Sequence, residues 1–191
     1  MELDLDCLES QHFSGKVQDY LHWKRVWQEL MHPRMDVDVE LFELRKCVPA
    51  EVKYKVKTLR DLDTVWSVLD KEYGSRDVRR RFTAQRMEDL HRFCYSKQAK
   101  TDGEKLLELH QVWREIYTDL QGIEMQENLS CPYTITCFVR KFPEEVFEEF
   151  VRFAMENHSE DKSESLLLDE FLVERARRES WLIEMGCYSE K

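Results

Sequence analysis

A chain of 191 residues, 12% aromatic and 36% charged, can bury a sizeable core and carries too many rings to be disordered. Only five glycines and four prolines among many long side chains suit helices better than sheets. With 39 acidic against 29 basic residues, the formal charge of −10 argues against nucleic acid as the main partner, because phosphate binding needs a clustered positive surface.

Residues 1–12 read as a polar lead-in. The start, Met1-Glu2-Leu3-Asp4, has neither the basic flank nor the apolar run of a secretory signal, and no apolar stretch is long enough to cross a bilayer. A cytoplasmic protein with no membrane partner is the expectation. Tyr20, Trp23, Trp27 and Leu30 then recur at helical spacing and predict one apolar stripe. Pro33 stops that helix by pushing the residue before it out of the helical region. Asp36 or Asp38 is placed to cap a second helix with Leu41, Phe42, Leu44, Cys47 and Val48 inward. Pro49 opens a short third helix through Val52 and Val56. The fourth is the clearest: Asp61 as N-cap, Leu62, Val65, Trp66, Leu69 and Tyr73 on one face, and Gly74 as the stop.

Ser75-Arg76-Asp77 reads as a linker, after which Val78, Phe82, Leu90 and Phe93 give a loose stripe. Ser96 to Gly103 is a polar break. Thr101 and Glu104 form a capping box opening a helix with Leu106, Leu109, Trp113, Ile116 and Leu120 inward, ended at Gln121-Gly122. Pro132 opens the next helix, carrying Ile135, Phe138, Val139 and Phe142, and Pro143 starts another through Val146, Phe150 and Phe153. Beyond a polar loop, Asn157 to Lys162, a last helix from about Ser163 carries Leu167, Leu168, Phe171 and Leu172. It turns charged at Glu174 to Glu179, and Trp181, Leu182 and Met185 return as a tail. The expected fold is all-α, in two small helical lobes: an N-terminal one over 13–75 and a C-terminal one over 76–187.

Chemistry finds little foothold in this pattern. His91 and Cys94 lie three apart on a helix and could reach one ion, but two further ligands are missing, and Cys131 and Cys137 do not have zinc-ribbon spacing. No metal and no cofactor are expected. The six cysteines, Cys7, Cys47, Cys94, Cys131, Cys137 and Cys187, are too scattered for a secreted disulfide scaffold and read as reduced, mostly structural thiols. No nucleophile elbow, phosphate-cradling glycine loop or His-Glu-x-x-His pair is present, so no catalytic residue is assigned. Glu144, Glu145, Glu148 and Glu149 read as a solvated helix surface. Trp23, Trp27 and Trp66 read as core. One charge cluster stands out. At 100° per residue, Arg76, Arg79, Arg80 and Arg86 fall within about 120° of helix surface, with Arg81 beside them. They form a candidate anion or assembly face, against the plainer reading of a solvated face.

The order of motifs then becomes informative. Phe13-Ser14-Gly15, followed by Tyr20-Leu21-His22-Trp23 and Val26-Trp27, resembles the opening of Gag proteins from Pao-type long-terminal-repeat retrotransposons. Leu44-Arg45-Lys46-Cys47-Val48-Pro49 is similar to that family's Leu-Arg helix. Trp66-Ser67-Val68-Leu69-Asp70-Lys71-Glu72-Tyr73-Gly74 resembles its Ala/Trp-x-x-Leu-x-x-x-Tyr-Gly helix end. Downstream, Leu106 to Leu120 stands where the family has a leucine-spaced helix, and Phe138-Val139-Arg140-Lys141-Phe142-Pro143 resembles its Leu-x-x-Lys-Leu-Pro step. The Gln-Gly-x-x-Glu signature of retroviral capsids is absent: Gln121-Gly122 is followed by Ile123-Glu124 with other spacing. The resemblance implies a two-lobe helical capsid that assembles into shells around RNA. A protease motif and a zinc knuckle are missing, which fits either a capsid segment or a domesticated Gag. The leading expectation is a structural protein whose partner is itself, with RNA in the full-length context. The alternatives are a domesticated adaptor binding a host protein or peptide, and an RNA-binding regulator.

Overall fold

The computed structural model describes residues 12–159 and 161–185, so most of the polar lead-in, Cys7 and Cys187 lie outside the described residues. The fold is all-α, with no strand among the described residues. It divides into two compact units. The first comprises the described part of Met1–Thr83 together with Asp119–Met125, and the second Ala84–Thr118 with the described part of Gln126–Lys191.

In the first unit, helix α1 (Val17–Val26) buries Tyr20 and Trp23 and runs on into a π-helical turn, Trp27–Met31. The wider turn changes the register. Met31 takes the inward place expected for Leu30, which is 43% exposed. A 3₁₀ turn, His32–Arg34, carries Pro33 and ends this segment. Helix α2 (Val37–Cys47) starts after Asp36, whose side chain makes no capping bond. It buries Leu41, Leu44 and Cys47, but Phe42 is 57% exposed, contrary to expectation. Phe42 lies about 100° beyond Leu41 around the helix, past the edge of the core-facing arc. Glu40 occupies that arc instead, 1% exposed.

Helix α3 (Ala50–Val56) follows Pro49 and buries Val52 and Val56. Helix α4 (Leu62–Leu69) is capped by Asp61, whose carboxylate accepts the Thr64 N–H at 2.7 Å and the Thr64 hydroxyl at 2.6 Å. A π-helical turn, Asp70–Gly74, completes it. Gly74 does not adopt the left-handed conformation of a glycine stop. It is needed for space, because a Cβ there would stand 2.7 Å from Cε1 of Tyr20.

The expected linker at Ser75–Asp77 shrinks to one residue. Ser75 is extended and helix α5 (Arg76–Arg92) begins at once, the Ser75 carbonyl accepting the Arg79 N–H at 3.0 Å. The two compact units part within α5, between Thr83 and Ala84. The end of helix α6 (Asp102–Gly122) also belongs to the first unit. There the Glu124 N–H bonds Gln121 O at 3.0 Å and the Met125 N–H bonds Leu120 O at 2.9 Å. This is a Schellman closure with Glu124, at φ 56°, in the left-handed place.

In the second unit the capping box forms: the Glu104 N–H donates to Thr101 Oγ1 at 3.2 Å, and the Thr101 N–H donates to Glu104 Oε2 at 2.9 Å. Leu106, Leu109, Trp113 and Ile116 of α6 are buried. After a 3₁₀ turn, Gln126–Ser130, Pro132 opens helix α7 (Pro132–Val139) and Pro143 precedes helix α8 (Glu144–Asn157). Helix α9 (Glu164–Glu184), capped by Ser163 Oγ, is one uninterrupted helix through the charged stretch, because Ala176 and Glu179 turn inward there. Trp181 lies on it, exposed, rather than on a separate tail.

Candidate functional site

Phe13 anchors the aromatic centre of the first unit. Its N–H donates to Cys47 O at 2.8 Å, and its ring lies 5.5 Å from Tyr20, 4.9 Å from Trp23 and 4.8 Å from Tyr73. Gly15 turns the chain into α1 at φ 81°, where a side chain would be strained. Trp23, Trp27 and Trp66 are all buried, as their spacing predicts. The Tyr20 hydroxyl donates to Asp70 at 2.8 Å, and Lys24 Nζ reaches both oxygens of that carboxylate at 2.7 and 2.8 Å. Burial first, and the Asp70 bond second, push the Tyr20 hydroxyl far above its ordinary pKa. These are tertiary ties between segments far apart in sequence.

The four candidate arginines do not act alike. Arg76 and Arg80 are exposed, as is Arg81, and none of the three makes an ion pair among the described residues. Arg79 turns back into the first unit, donating Nη1 to Ile123 O at 3.2 Å. Carbonyls at a helix end lack intrahelical donors, and Arg79 supplies one. Arg86, in the second unit, has a side chain only 16% exposed and donates to Asp89 at 3.0 Å and Glu115 at 2.9 Å. Of the four members of the candidate face, carboxylates and a carbonyl brought up by tertiary packing engage Arg79 and Arg86, and Arg76 and Arg80 stay exposed.

The candidate metal pair is not assembled. His91 sets its ring edge-on to Tyr133, centroids 5.4 Å apart, while the exposed Cys94 thiol faces Arg92 O at 3.5 Å. No cluster of three or more metal-binding side chains occurs among the described residues. The expectation of mostly structural thiols also needs correction, since only Cys47 of the four described is buried, and Cys94 and Cys131 are exposed. Burial pushes the Cys47 thiol up to about 11. Cys131, at the N-cap of α7, is lowered by the N–H groups of Thr134 and Tyr133.

Two features escaped the sequence reading. One is the Glu40 carboxylate, which accepts Trp27 Nε1–H at 3.0 Å and pairs with His32 Nδ1 at 2.7 Å. The other is a ridge on α8. Phe147, Val151 and Met155 are 44%, 40% and 80% exposed. Their i, i+4, i+8 spacing was present in the sequence but hidden beside the stronger stripe of Val146, Phe150 and Phe153. On one flank of the ridge stand the exposed Glu148 and Arg152. Glu144 and Glu145 are solvated as expected, whereas Glu149 accepts Arg175 Nε at 2.6 Å. No protein-family model, no curated protein and no solved structure matches the chain.

Proposed function

We propose that this chain is a structural protein that associates with copies of itself, in the manner of a Gag capsid. The observation that carries the reading is the α8 ridge. An apolar row left open on a polar helix is an association surface or an aggregation liability, and its charged flank favours the first. The row is self-complementary. Two copies crossing antiparallel at Val151 set Phe147 against Met155, and the same flanks meet, so Glu148 of each copy lies about 3 Å along the axis from the level of the other's Arg152, within reach of its long side chain. Three side chains bury far less than the roughly 1,200 Å² of a stable pairwise complex, so the contact is weak alone. Weak contacts repeated between identical units sum to a stable assembly. The ordered motifs from Phe13 to Gly74, which pack together in one aromatic centre, support the Gag-like form of this reading.

Sedimentation velocity of the 191-residue chain over a concentration series is the test. Growth in mass with concentration is expected, and Val151→Asp with Met155→Asp should abolish it while leaving far-UV helicity unchanged. A wild-type chain that stays monomeric at every concentration overturns the reading, as does a double variant that assembles normally.

A further inference from the structure

A cleft of about 280 Å³ opens in the second unit between α8 and α9. Its floor is Phe153 and Phe171, whose rings lie 5.6 Å apart, and three arginines, Arg152, Arg175 and Arg178, line it together with three glutamates. That volume is below the roughly 300–1,000 Å³ of small-molecule sites and suits one large side chain. The charges balance, so the cleft selects no ion. Its apolar floor and its cations, among them Arg175 held by Glu149 and Glu179, favour a neutral aromatic ring, and an indole above all.

Such a ring stands exposed on the same helix. At 100° per residue, Phe171, Glu174, Arg178, Trp181 and Met185 fall within about 80° of the α9 surface. Trp181 is 56% and Met185 61% exposed. Glu174 and Arg178 are spaced for an i, i+4 ion pair, yet neither makes one among the described residues.

We infer that α9 binds α9 of a second copy across a two-fold axis, the Trp181 indole of each copy entering the cleft of the other. The inference rests on the self-association proposed above and supplies what an assembly needs beyond the ridge. The ridge contact is isologous, so by itself it closes at two copies. Two antiparallel α9 helices related by an axis at the level of Ala176 place each Trp181 level with the other copy's Phe171, the floor of its cleft. The same axis sets each Glu174 level with the other copy's Arg178, so two ion pairs form. Register and charge complementarity together select a second copy as the occupant. Tryptophan and arginine ringed by polar groups are also the composition that gives interfaces most of their energy. Cleft and ridge lie on opposite sides of the buried stripe of Val146 and Phe150, so one copy can use both. Copies joined alternately by the two contacts grow past the dimer.

The test is sedimentation velocity of the full chain at low salt, comparing the wild type with Trp181→Ala, Glu174→Arg, Arg178→Glu and an equal mixture of the last two. The wild type should form species larger than a dimer, and Trp181→Ala should form none at the same concentrations. Each charge reversal sets like charges together twice across the axis and should weaken growth past the dimer about tenfold or more. The mixture should restore growth, because each reversed charge then meets one of opposite sign on the other variant. All three positions are exposed, so circular dichroism and thermal midpoints should change little. Growth past the dimer in Trp181→Ala overturns the proposal, as do single reversals without effect or a mixture no better than its components. A wild-type chain that stops at a dimer also overturns it, while leaving self-association standing. A wild type that stays monomeric removes this proposal together with the reading beneath it.

Discussion

Replacing Gly122 by alanine sets two local effects against each other, and the structure decides which wins. In a helix, alanine is favoured over glycine by about 1 kcal/mol, less near an end. Gly122 is the last residue of α6 and has an ordinary negative φ, so conformation alone predicts a stabilising change. Its surroundings predict the reverse. A Cβ there would stand 2.3 Å from the carbonyl oxygen of Gln18 and 3.2 Å from its carbon. Ordinary contact requires the two to part by about 1 Å. The obstacle is backbone in the first turn of α1, which cannot rotate aside as a side-chain tip can. Forced expansion of a packed contact costs about 1–3 kcal/mol, so the net change is a loss of about 1–2 kcal/mol. For a chain of this length that is a fall in Tm of about 2–8 °C, and urea unfolding should show a lower midpoint at nearly constant slope. A midpoint that rises in Gly122→Ala would refute the reasoning, because the end of α6 would then not be pressed against Gln18.

Glu124→Gly should stabilise the same unit by about 0.5–1 kcal/mol, read as a higher urea midpoint, because Glu124 holds φ 56° and its ion pair with Arg25 is exposed at both ends. His110, whose Nε2 is buried without a partner, has its pKa lowered from 6.5 by burial and by Arg114, against the opposing pull of Asp169. Protons then bind the unfolded state more readily, so stability present above pH 6.5 should fall as the pH drops below it, and His110→Leu should flatten that slope in a pH series of thermal melts. Iodoacetamide labelling followed by mass spectrometry should mark Cys131 well before Cys47; equal rates would contradict the exposure and opposite pKa shifts of the two thiols. Brief trypsin treatment should cut at Lys97 and Lys100, which lie exposed between α5 and α6, before the chain near Ser75, where helix resumes after one residue.

The sequence by itself determined where the helices lie and which of their faces carry most of the core. Apolar spacing in Leu106 to Leu120, the capping residues Asp61, Thr101 and Ser163, and the prolines before α3 and α8 and at the start of α7 are local features. Each acts within a few residues, so each is readable from a short window. What lay beyond such a window was decided by residues brought from elsewhere. The π-helical turn that exposes Leu30 and buries Met31 cannot be read from a wheel drawn at a constant 100° per residue. Gly74 and Gly122 look like helix stops, yet their lack of a side chain serves the Tyr20 ring and the Gln18 carbonyl, and the left-handed residue is Glu124. Arg79 and Arg86 share a helix face with Arg76 and Arg80, but Ile123 O, 44 residues on, and Glu115, 29 residues on, take them out of it. The burial of Glu40 was equally hidden, since its partners Trp27 and His32 belong to another segment and Glu40 reads locally as one more solvated acid. Backbone preference and side-chain period are properties of neighbours in the chain. Which polar group is buried, paired or left open to a partner depends on distance in space, which only the packed helices set.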